Sequence, residues 1–237
     1  MSMFKFTFNN LANDLLKVKD IGYVFKPLSD YWLEGGVVDP KVCFIRVDVD
    51  FSIQKAALLA DLLSDLGIKG SFFIRLHAPE YNPFDFANID RIKRIVSQGH
   101  EIGLHSEIVD LQEICGGSAE SWLRSDLKLM ELLTGCSCTS AASHGGLTGY
   151  NNLDFWEKND PKSFGLNYEA YEETENFSLF ANCRYVSDSE IAQWKAYHDG
   201  ILLPNDRRSP SQHAQEEHRA LYVLLHGDVY DHKNKYF

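Results

Sequence analysis

Two aspartates at the end of an apolar run are the first residues of this sequence whose types and spacing suit chemistry. Asp48 and Asp50 close the run at 42–47, which has the pattern of a buried strand. Alternate side chains of a strand face the same way, so both carboxylates and the guanidinium of Arg46 project together, with roughly 7 Å between the two aspartate backbones. Burying such a pair is costly unless a metal or a cation compensates it. The spacing therefore favours a metal or catalytic site, the alternative being a solvated turn that caps the next helix.

Three histidines follow short apolar segments in a similar way. His105 stands at the exit of a very short strand, His144 leaves another strand into the glycine pair 145–146, and His226 ends an apolar strand. Barrels of alternating strands and helices place their sites at the carboxyl ends of the strands, so these imidazoles are expected beside the aspartates. Imidazole binds first-row metals and transfers protons near neutral pH. For His144 the alternative is a histidine in a surface turn, and for His226 a structural histidine.

The elements that must position these residues alternate along the chain. Strands are predicted over 42–47, 70–75, 101–104, 139–143 and 220–225, and helices over 54–66, 89–97 and 119–133. Gly67 ends the first helix and Ser118 caps the third. The alternation is typical of βα units and favours a barrel or a doubly wound sheet. The segment 145–220 has a weaker pattern, with strands predicted over 164–168 and 180–186 and a helix over 190–197.

Composition narrows the classes of protein. The 237 residues carry a formal net charge of -11, which disfavours a nucleic-acid partner because polyphosphate would be repelled. No run of about 18 apolar residues or apolar leader is present, so no membrane span and a cytoplasmic location are expected. The five cysteines form no CxxC pair and are expected to be reduced thiols. The sequence makes no prediction of oligomeric state.

Four segments together resemble the polysaccharide deacetylase superfamily, carbohydrate esterase family 4, in its atypical branch with an Asp-Val-Asp first motif. They are RVDVD at 46–50, GSFFIR at 70–75, YNPF at 81–84 and GHEIGLHSE at 99–107. Their order and spacing match over residues 42–110, and weaker matches continue to His226. The resemblance implies an α/β fold, a distorted and incomplete (β/α) barrel. It also implies one domain over residues 1–237, with 1–40 as an N-terminal extension that packs on the barrel.

The resemblance also implies roles for the site residues. Asp48 is the expected general base, and Asp50 and His105 the expected ligands of one divalent metal. The segment LLH at 224–226 resembles the closing motif of the superfamily, in which the histidine is the general acid. His226 is therefore expected to protonate the leaving amine, oriented by Asp228 or another carboxylate. Asp188 follows a segment similar to a late strand end of related proteins and is a candidate for contacting substrate or supporting the site.

One position departs from the superfamily pattern. Typical members carry a second histidine four residues after the first, but Val109 stands there in this sequence. Glu107, Asp110 or a histidine from another strand end can replace it. His144 is the preferred candidate because it follows a predicted strand, and two histidines with one carboxylate suit zinc.

The resemblance implies hydrolysis of a carbon–nitrogen bond that is not a peptide bond. The expected reaction removes an N-acetyl or N-formyl group from an amino sugar or glycan precursor, in surface-polysaccharide biosynthesis. Two alternatives stay open. One is hydrolysis of a non-sugar linear or cyclic amide, and the other is a catalytically inactive glycan-binding protein, for which Val109 is the indication.

Overall fold

The computed structural model describes residues 4–36, 40–190 and 193–231. The strands are β1 (Val24–Lys26), β2 (Val42–Val49), β3 (Ser71–Ile74), β4 (Glu101–Ser106), β5 (Ser140–Ser143), β6 (Tyr168–Glu169), β7 (Arg184–Ser187), β8 (Lys195–His198), β9 (Ile201–Leu203) and β10 (Ala220–His226). The α-helices are α1 (Phe8–Asp20), α2 (Leu28–Leu33), α3 (Ile53–Asp65), α4 (Phe86–Ser97), α5 (Ile108–Cys115), α6 (Ala119–Thr134), α7 (Leu179–Asn182) and α8 (Pro210–Ala214). None of the helices in these ranges has the length and apolar character needed to cross a membrane.

The strands form one sheet that is largely parallel. Its order is β6-β5-β4-β3-β2-β10-β7-β8-β9, with β1 paired to the first half of β2 and β3 to the second half. Strand β8 is antiparallel to β7, and β9 is antiparallel to β8. Within the described residues the order does not close from β9 back to β6. The distorted, incomplete barrel expected from the sequence is confirmed.

Strand β2 is the centre of the sheet, and its side chains alternate between two cores. All eight of its residues are buried, as expected for a parallel strand covered on both faces. Cys43, Ile45 and Val47 belong to the core between sheet and helices. Val42 and Phe44 belong to the inner core of the barrel, which is rich in aromatic rings. The period of two continues along the inner face to Arg46 and Asp48, so the strand carries them into the barrel.

The described part of the N-terminal extension is tied to the far end of the chain. Helix α1 packs against α8 and α3. The buried Asp14 carboxylate in α1 accepts hydrogen bonds from the hydroxyls of Ser209 and Ser211, both at 2.6 Å, and from the Ser211 N–H at 2.9 Å. These bonds satisfy the first turn of α8. That residues 1–237 form a single domain stays a prediction.

The helix predicted over 190–197 is wrong. Residues 191–192 lie outside the described residues, and Lys195–His198 form β8, whose Ala196 pairs with Val186 of β7. The buried Trp194 ring packs against Phe4 and Phe6 from the N-terminal segment. Long-range pairing and packing therefore override the local pattern.

The two strands predicted just before this segment are displaced. Where a strand was predicted over 164–168, Pro161–Phe164 form a 3-10 helix capped by Asp160, and β6 begins only at Tyr168. Proline at the first helical position favours this turn. Over 180–186, the short helix α7 comes first and β7 follows it from Arg184.

Gly103, on the inner face of β4, marks the tightest point of the barrel interior. A Cβ at this position would lie 2.5 Å from the Phe73 ring and 2.7 Å from the Ser140 hydroxyl. We expect Gly103→Ala to lower the free energy of unfolding by about 1–3 kcal/mol through overpacking, as measured by urea denaturation. Gly145→Ala is the matched control because nothing lies within 4 Å of its Cβ position. Equal unfolding midpoints for the two variants would show that the interior is loosely packed.

Candidate active site

A cavity of about 280 Å³ opens at the carboxyl ends of the parallel strands. The five residues singled out in the sequence, Asp48, Asp50, His105, His144 and His226, all line it. The other lining residues are Ser143, Gly145, Tyr171, Phe180, Tyr185, Ser189, Lys195, Tyr197 and Leu224. In the sheet, β5 is next to β4 and β2 is next to β10, with only β3 between the two pairs. This order explains why residues so distant in sequence meet here.

Asp48 is held by a buried arginine on its own strand. Arg46, which has no exposed surface, donates from Nε and Nη2 to the two oxygens of Asp48, both at 2.7 Å. The guanidinium also lies over the Tyr171 ring, 4.4 Å from its centroid. Burial by itself raises the pKa of Asp48, but the cations Arg46 and His105 outweigh it and the pKa is lowered. Asp48 is therefore a carboxylate throughout the neutral range.

Asp50 lies between two imidazoles. Its Oδ1 is 3.3 Å from His105 Nε2, and its Oδ2 is 3.6 Å from His226 Nε2. Burial raises the pKa of Asp50, but the neighbouring histidines lower it further than burial raises it. The Oδ1 atom is buried and has no well-aligned hydrogen bond. A buried carboxylate oxygen without a donor is costly, and a cation would satisfy it.

Two of the three histidines have Nδ1 hydrogen-bonded to an acceptor. His105 Nδ1 is 2.8 Å from the Ala142 carbonyl, and His226 Nδ1 is 2.6 Å from Asp188 Oδ1. His144 Nδ1 is buried without a hydrogen bond, 3.7 Å from Glu107 Oε1. Acceptors at Nδ1 place the proton there and leave Nε2 to bind a metal or to exchange a proton.

Glu107 and Asp110 stand behind His144 and do not line the cavity. Asp110 Oδ1 accepts from the N–H groups of Leu147 and Thr148 and from the Thr148 hydroxyl, and its Oδ2 accepts from Asn152. Glu107 is paired with Arg75 at 2.7 Å. Asp110 thus holds the loop that follows His144, which is not apparent from its sequence position.

The turn after His144 needs a glycine. A Cβ on Gly146 would lie 1.5 Å from the carbonyl oxygen of Tyr150, so no other residue allows the backbone to fold back so closely. His144 is brought beside His105 in this way, with ring centroids 5.2 Å apart at an interplanar angle of 88°.

Asp188, at the end of β7, is the partner of His226. It accepts from Nδ1 of the ring and, at 3.0 Å, from the His226 backbone N–H. Burial lowers the pKa of His226, but the Asp188 carboxylate outweighs it and raises the pKa to about 9. Asp228 instead accepts from the Phe51 N–H, and burial raises its pKa to about 6. The carboxylate against the His226 ring is therefore that of Asp188 and not that of Asp228, the residue named for this role from the sequence.

By ligand type the residues at the cavity suit a divalent metal ion, although among the described residues their donor atoms do not all lie within 4.8 Å of one another. Asp50, His105 and His144 supply one oxygen and two nitrogens, which is the ligand chemistry of zinc and its first-row neighbours. The buried Oδ1 of Asp50 without a well-aligned hydrogen bond supports this fit, and so does the contact of His105 Nδ1 with the Ala142 carbonyl, which directs Nε2 of that ring toward Asp50 and Asp48. Burial and the neighbouring His105 lower the pKa of His144, which keeps it in the neutral form that ligates metals.

Comparisons with known proteins show similarity to solved structures at the level of the fold. No protein-family model matches the chain, and no curated protein matches it either. The solved structure of the Streptococcus pyogenes deacetylase PplD matches with a TM-score of 0.52 and 14% identity, over 70% of this chain and 73% of that chain. The chitin deacetylase of Colletotrichum lindemuthianum matches with a TM-score of 0.38 and 18% identity, over 87% of this chain and 92% of that chain.

A CE4 family pseudoenzyme from Bacillus anthracis also matches, with a TM-score of 0.46 and 13% identity, over 81% of this chain and 58% of that chain. A mutant of a CE4 pseudoenzyme with restored activity gives a TM-score of 0.47 at 12% identity, over 81% of this chain and 60% of that one. The chain therefore spans about three fifths of the length of these two chains. At such identities the likeness concerns the fold. The PplD match, with a TM-score of 0.52, shows that the chain shares the fold of that deacetylase.

Proposed function

We propose that this chain is a metal-dependent hydrolase that removes an N-acyl group, acetyl in the first instance, from an amino sugar. The observation that carries the proposal is the position of Asp50, with His105 and His226 at 3.3 and 3.6 Å on its two sides and Asp48 fixed as a carboxylate beside them. Asp50, His105 and His144 are the proposed ligands. If a divalent metal were held by these residues, it would supply activation of water and polarisation of the acyl oxygen.

Asp48 is the proposed general base. Each of its oxygens accepts one hydrogen bond from Arg46 and keeps a second lone pair. Arg46 fixes the carboxylate in one orientation at the cavity wall, and its charge keeps Asp48 unprotonated and ready to accept a proton from water.

His226 is the proposed general acid. With a pKa of about 9 it is protonated at neutral pH, and Asp188 holds Nδ1 so that the Nε2 proton faces the cavity. Transfer of this proton to the departing nitrogen makes the amine a leaving group. Asp188 is a positioning residue because it acts through the imidazole and does not line the cavity.

The Asp188 contact predicts a change in the pH profile. Because the folded pKa of His226 is raised, the acid is available below about pH 9 and activity is lost as pH rises through that value. We expect Asp188→Asn to move the alkaline limb of kcat downward by about 1–3 pH units, as measured by acetate release between pH 6 and 10. Asp199→Asn, on the exposed hairpin turn, is the control. An unchanged alkaline limb in Asp188→Asn would remove Asp188 from this role.

Aromatic rings and one lysine form part of the cavity wall. Phe180 packs edge-on against Tyr185 at 5.0 Å, and Tyr185 against Tyr197 at 5.5 Å. Such faces suit the apolar side of a sugar ring. Lys195 Nζ lies 5.8 Å from the centroid of Tyr197 and provides a cation for a polar or acidic substituent. This wall supports a carbohydrate substrate. We propose that the natural substrate is a cytoplasmic precursor of surface polysaccharide.

A catalytically inactive glycan-binding protein is the second candidate. The observation that favours it is Val109, whose N–H is bonded to Asn152 and whose side chain offers no ligand. Under this proposal the aromatic wall binds sugar and no bond is broken. Hydrolysis of a small linear or cyclic amide is a variant of the first proposal, since a cavity of about 280 Å³ admits small ligands.

A substrate panel separates these functions. Zinc-loaded protein is incubated with N-acetylated and N-formylated amino sugars, their oligomers, and small ureides and cyclic imides, and the released acid or amine is quantified. We expect acetate from at least one amino sugar. Product from the small amides alone would show that the protein is a hydrolase of small amides and not of amino sugars. Sugar binding without any product would favour the inactive glycan-binding protein.

A further inference from the structure

A second group of histidine and carboxylate side chains lies at the end of the barrel opposite the cavity. His213 belongs to α8, and Glu216 and His218 stand in the turn that leads from α8 into β10. One donor atom from each residue lies within 4.8 Å of the other two. Strand β10 runs seven residues from this turn to His226, so the group is roughly 20 Å from the cavity.

His213 is the buried member of the group. It has no exposed surface, and neither ring nitrogen has a hydrogen bond in the described part of the chain. An imidazole with both nitrogens unsatisfied is costly to bury unless a ligand occupies one of them. Burial lowers the pKa of His213 to about 4, so the ring is neutral and able to ligate at neutral pH.

His218 and Glu216 are adjacent to each other and to two arginines. His218 Nε2 is 2.9 Å from Glu216 Oε2 and lies 3.1 Å from Arg184 Nε, which donates to it. Arg208 pairs with the other oxygen of Glu216 and also with Asp206. The side chain of Arg208 is 37% exposed, so it can turn into solvent and release both carboxylates.

Asp206 completes the surroundings. Its Oδ1 lies 3.6 Å from His213 Nε2, close enough for both groups to share one ion after a small shift. With Asp206, the group offers two nitrogens and two carboxylates, a donor number that closes a tetrahedral site.

We propose that His213, Glu216 and His218 form a second, structural site for zinc or a similar divalent metal, with Asp206 as the fourth ligand. The ion fixes α8 to the start of β10, where Asp14 of α1 also bonds the first turn of α8. It takes the place of Arg208 on Glu216. The site serves the stability of this end of the barrel and is independent of the proposed hydrolysis.

Zinc titration of chelator-stripped protein tests the proposal. Bound zinc is measured by elemental analysis after gel filtration in wild type, His218→Ala, Glu216→Gln and His105→Ala. Glu217→Gln is the matched control, since this neighbouring carboxylate is exposed and pairs with Lys41. The unfolding temperature with and without zinc is recorded for each protein, so that a variant that does not fold is recognised.

We expect wild type to bind about two equivalents, and His218→Ala and Glu216→Gln each to bind about one fewer than wild type and Glu217→Gln. In His105→Ala, zinc should still raise the unfolding temperature by mass action, and combining His105→Ala with His218→Ala should abolish that rise. One equivalent lost in His218→Ala but retained in His105→Ala would support this site even if the cavity binds no metal. Zinc contents of folded His218→Ala and Glu216→Gln equal to that of wild type would overturn the proposal.

Discussion

His105→Ala is expected to leave a folded protein that no longer holds a metal in the cavity and that hydrolyses substrate about 10³-fold more slowly or worse. The imidazole is the ligand nearest Asp50, at 3.3 Å, and its loss leaves only one nitrogen, from His144, in the proposed set. A metal contributes several kcal/mol to stabilising the transition state, and each 1.36 kcal/mol is about tenfold in rate. The measurements are bound zinc and initial rates of acetate release.

The control for this prediction is His198→Ala. His198 is a half-exposed histidine on the β8–β9 hairpin that does not line the cavity. It should retain both zinc and activity. If His105→Ala keeps its full zinc content and rate, the assignment of the metal to Asp50, His105 and His144 is wrong.

Asp48→Asn is expected to lower turnover by about 10²–10⁴-fold, the usual contribution of a general base, while zinc remains bound. An amide cannot accept the proton from water. It also cannot accept both hydrogen bonds from Arg46, which leaves a buried guanidinium partly unpaired and destabilises the fold by about 3–5 kcal/mol. Low activity alone is therefore ambiguous, and the design has to separate catalysis from folding.

The double variant Arg46→Met with Asp48→Asn supplies that separation. It removes the unpaired charge, so we expect the free energy of unfolding to recover in urea denaturation while turnover stays low. Restored turnover in the double variant would exclude Asp48 as the base. Loss of zinc from folded Asp48→Asn would instead show that Asp48, whose Oδ2 is 3.5 Å from His105 Nε2, is a metal ligand.

The first half of the fold was predictable because its signals are local. Strands β2, β3 and β4 lie where the sequence has short apolar runs bounded by glycine or charged residues. Ser118 caps α6 by accepting a hydrogen bond from the Ser121 N–H, as its position just before the helix indicates. Burial on both faces makes parallel strands almost continuously apolar. Helix α5 was missed because Ile108–Cys115 follows the strand of His105 directly, without a loop or a capping side chain.

The second half could not be predicted as well because its elements depend on distant contacts. Tyr185 and Val186 form a strand because they pair with Tyr222 and Val223 of β10 on one side and with β8 on the other. Nothing in the sequence around 184–198 shows this pairing. A local pattern read without it gave a helix where a hairpin exists.

The candidate site residues could be predicted to lie together from one rule, that the carboxyl ends of parallel strands lie at the same edge of the sheet. It brings Asp48 opposite His226 in the pairing of β2 with β10. The support behind these residues was not predictable. Asp188 contacts His226 only because β7 is the neighbour of β10, and Asp110 holds the His144 loop through four bonds that span about 40 residues of sequence. The pairing of Arg46 with Asp48 was accessible, since residues two apart share a face of a strand.

Removing and restoring the metal tests most directly whether this chain is a metal-dependent hydrolase. Wild type is stripped with a chelator, divided, and assayed on the best amino-sugar substrate of the panel with and without added zinc, and a zinc-loaded His105→Ala sample is run in parallel. We expect no acetate from stripped protein, release restored by zinc, and no restoration in His105→Ala. Full activity of the stripped protein, or equal restoration in His105→Ala, would contradict this expectation.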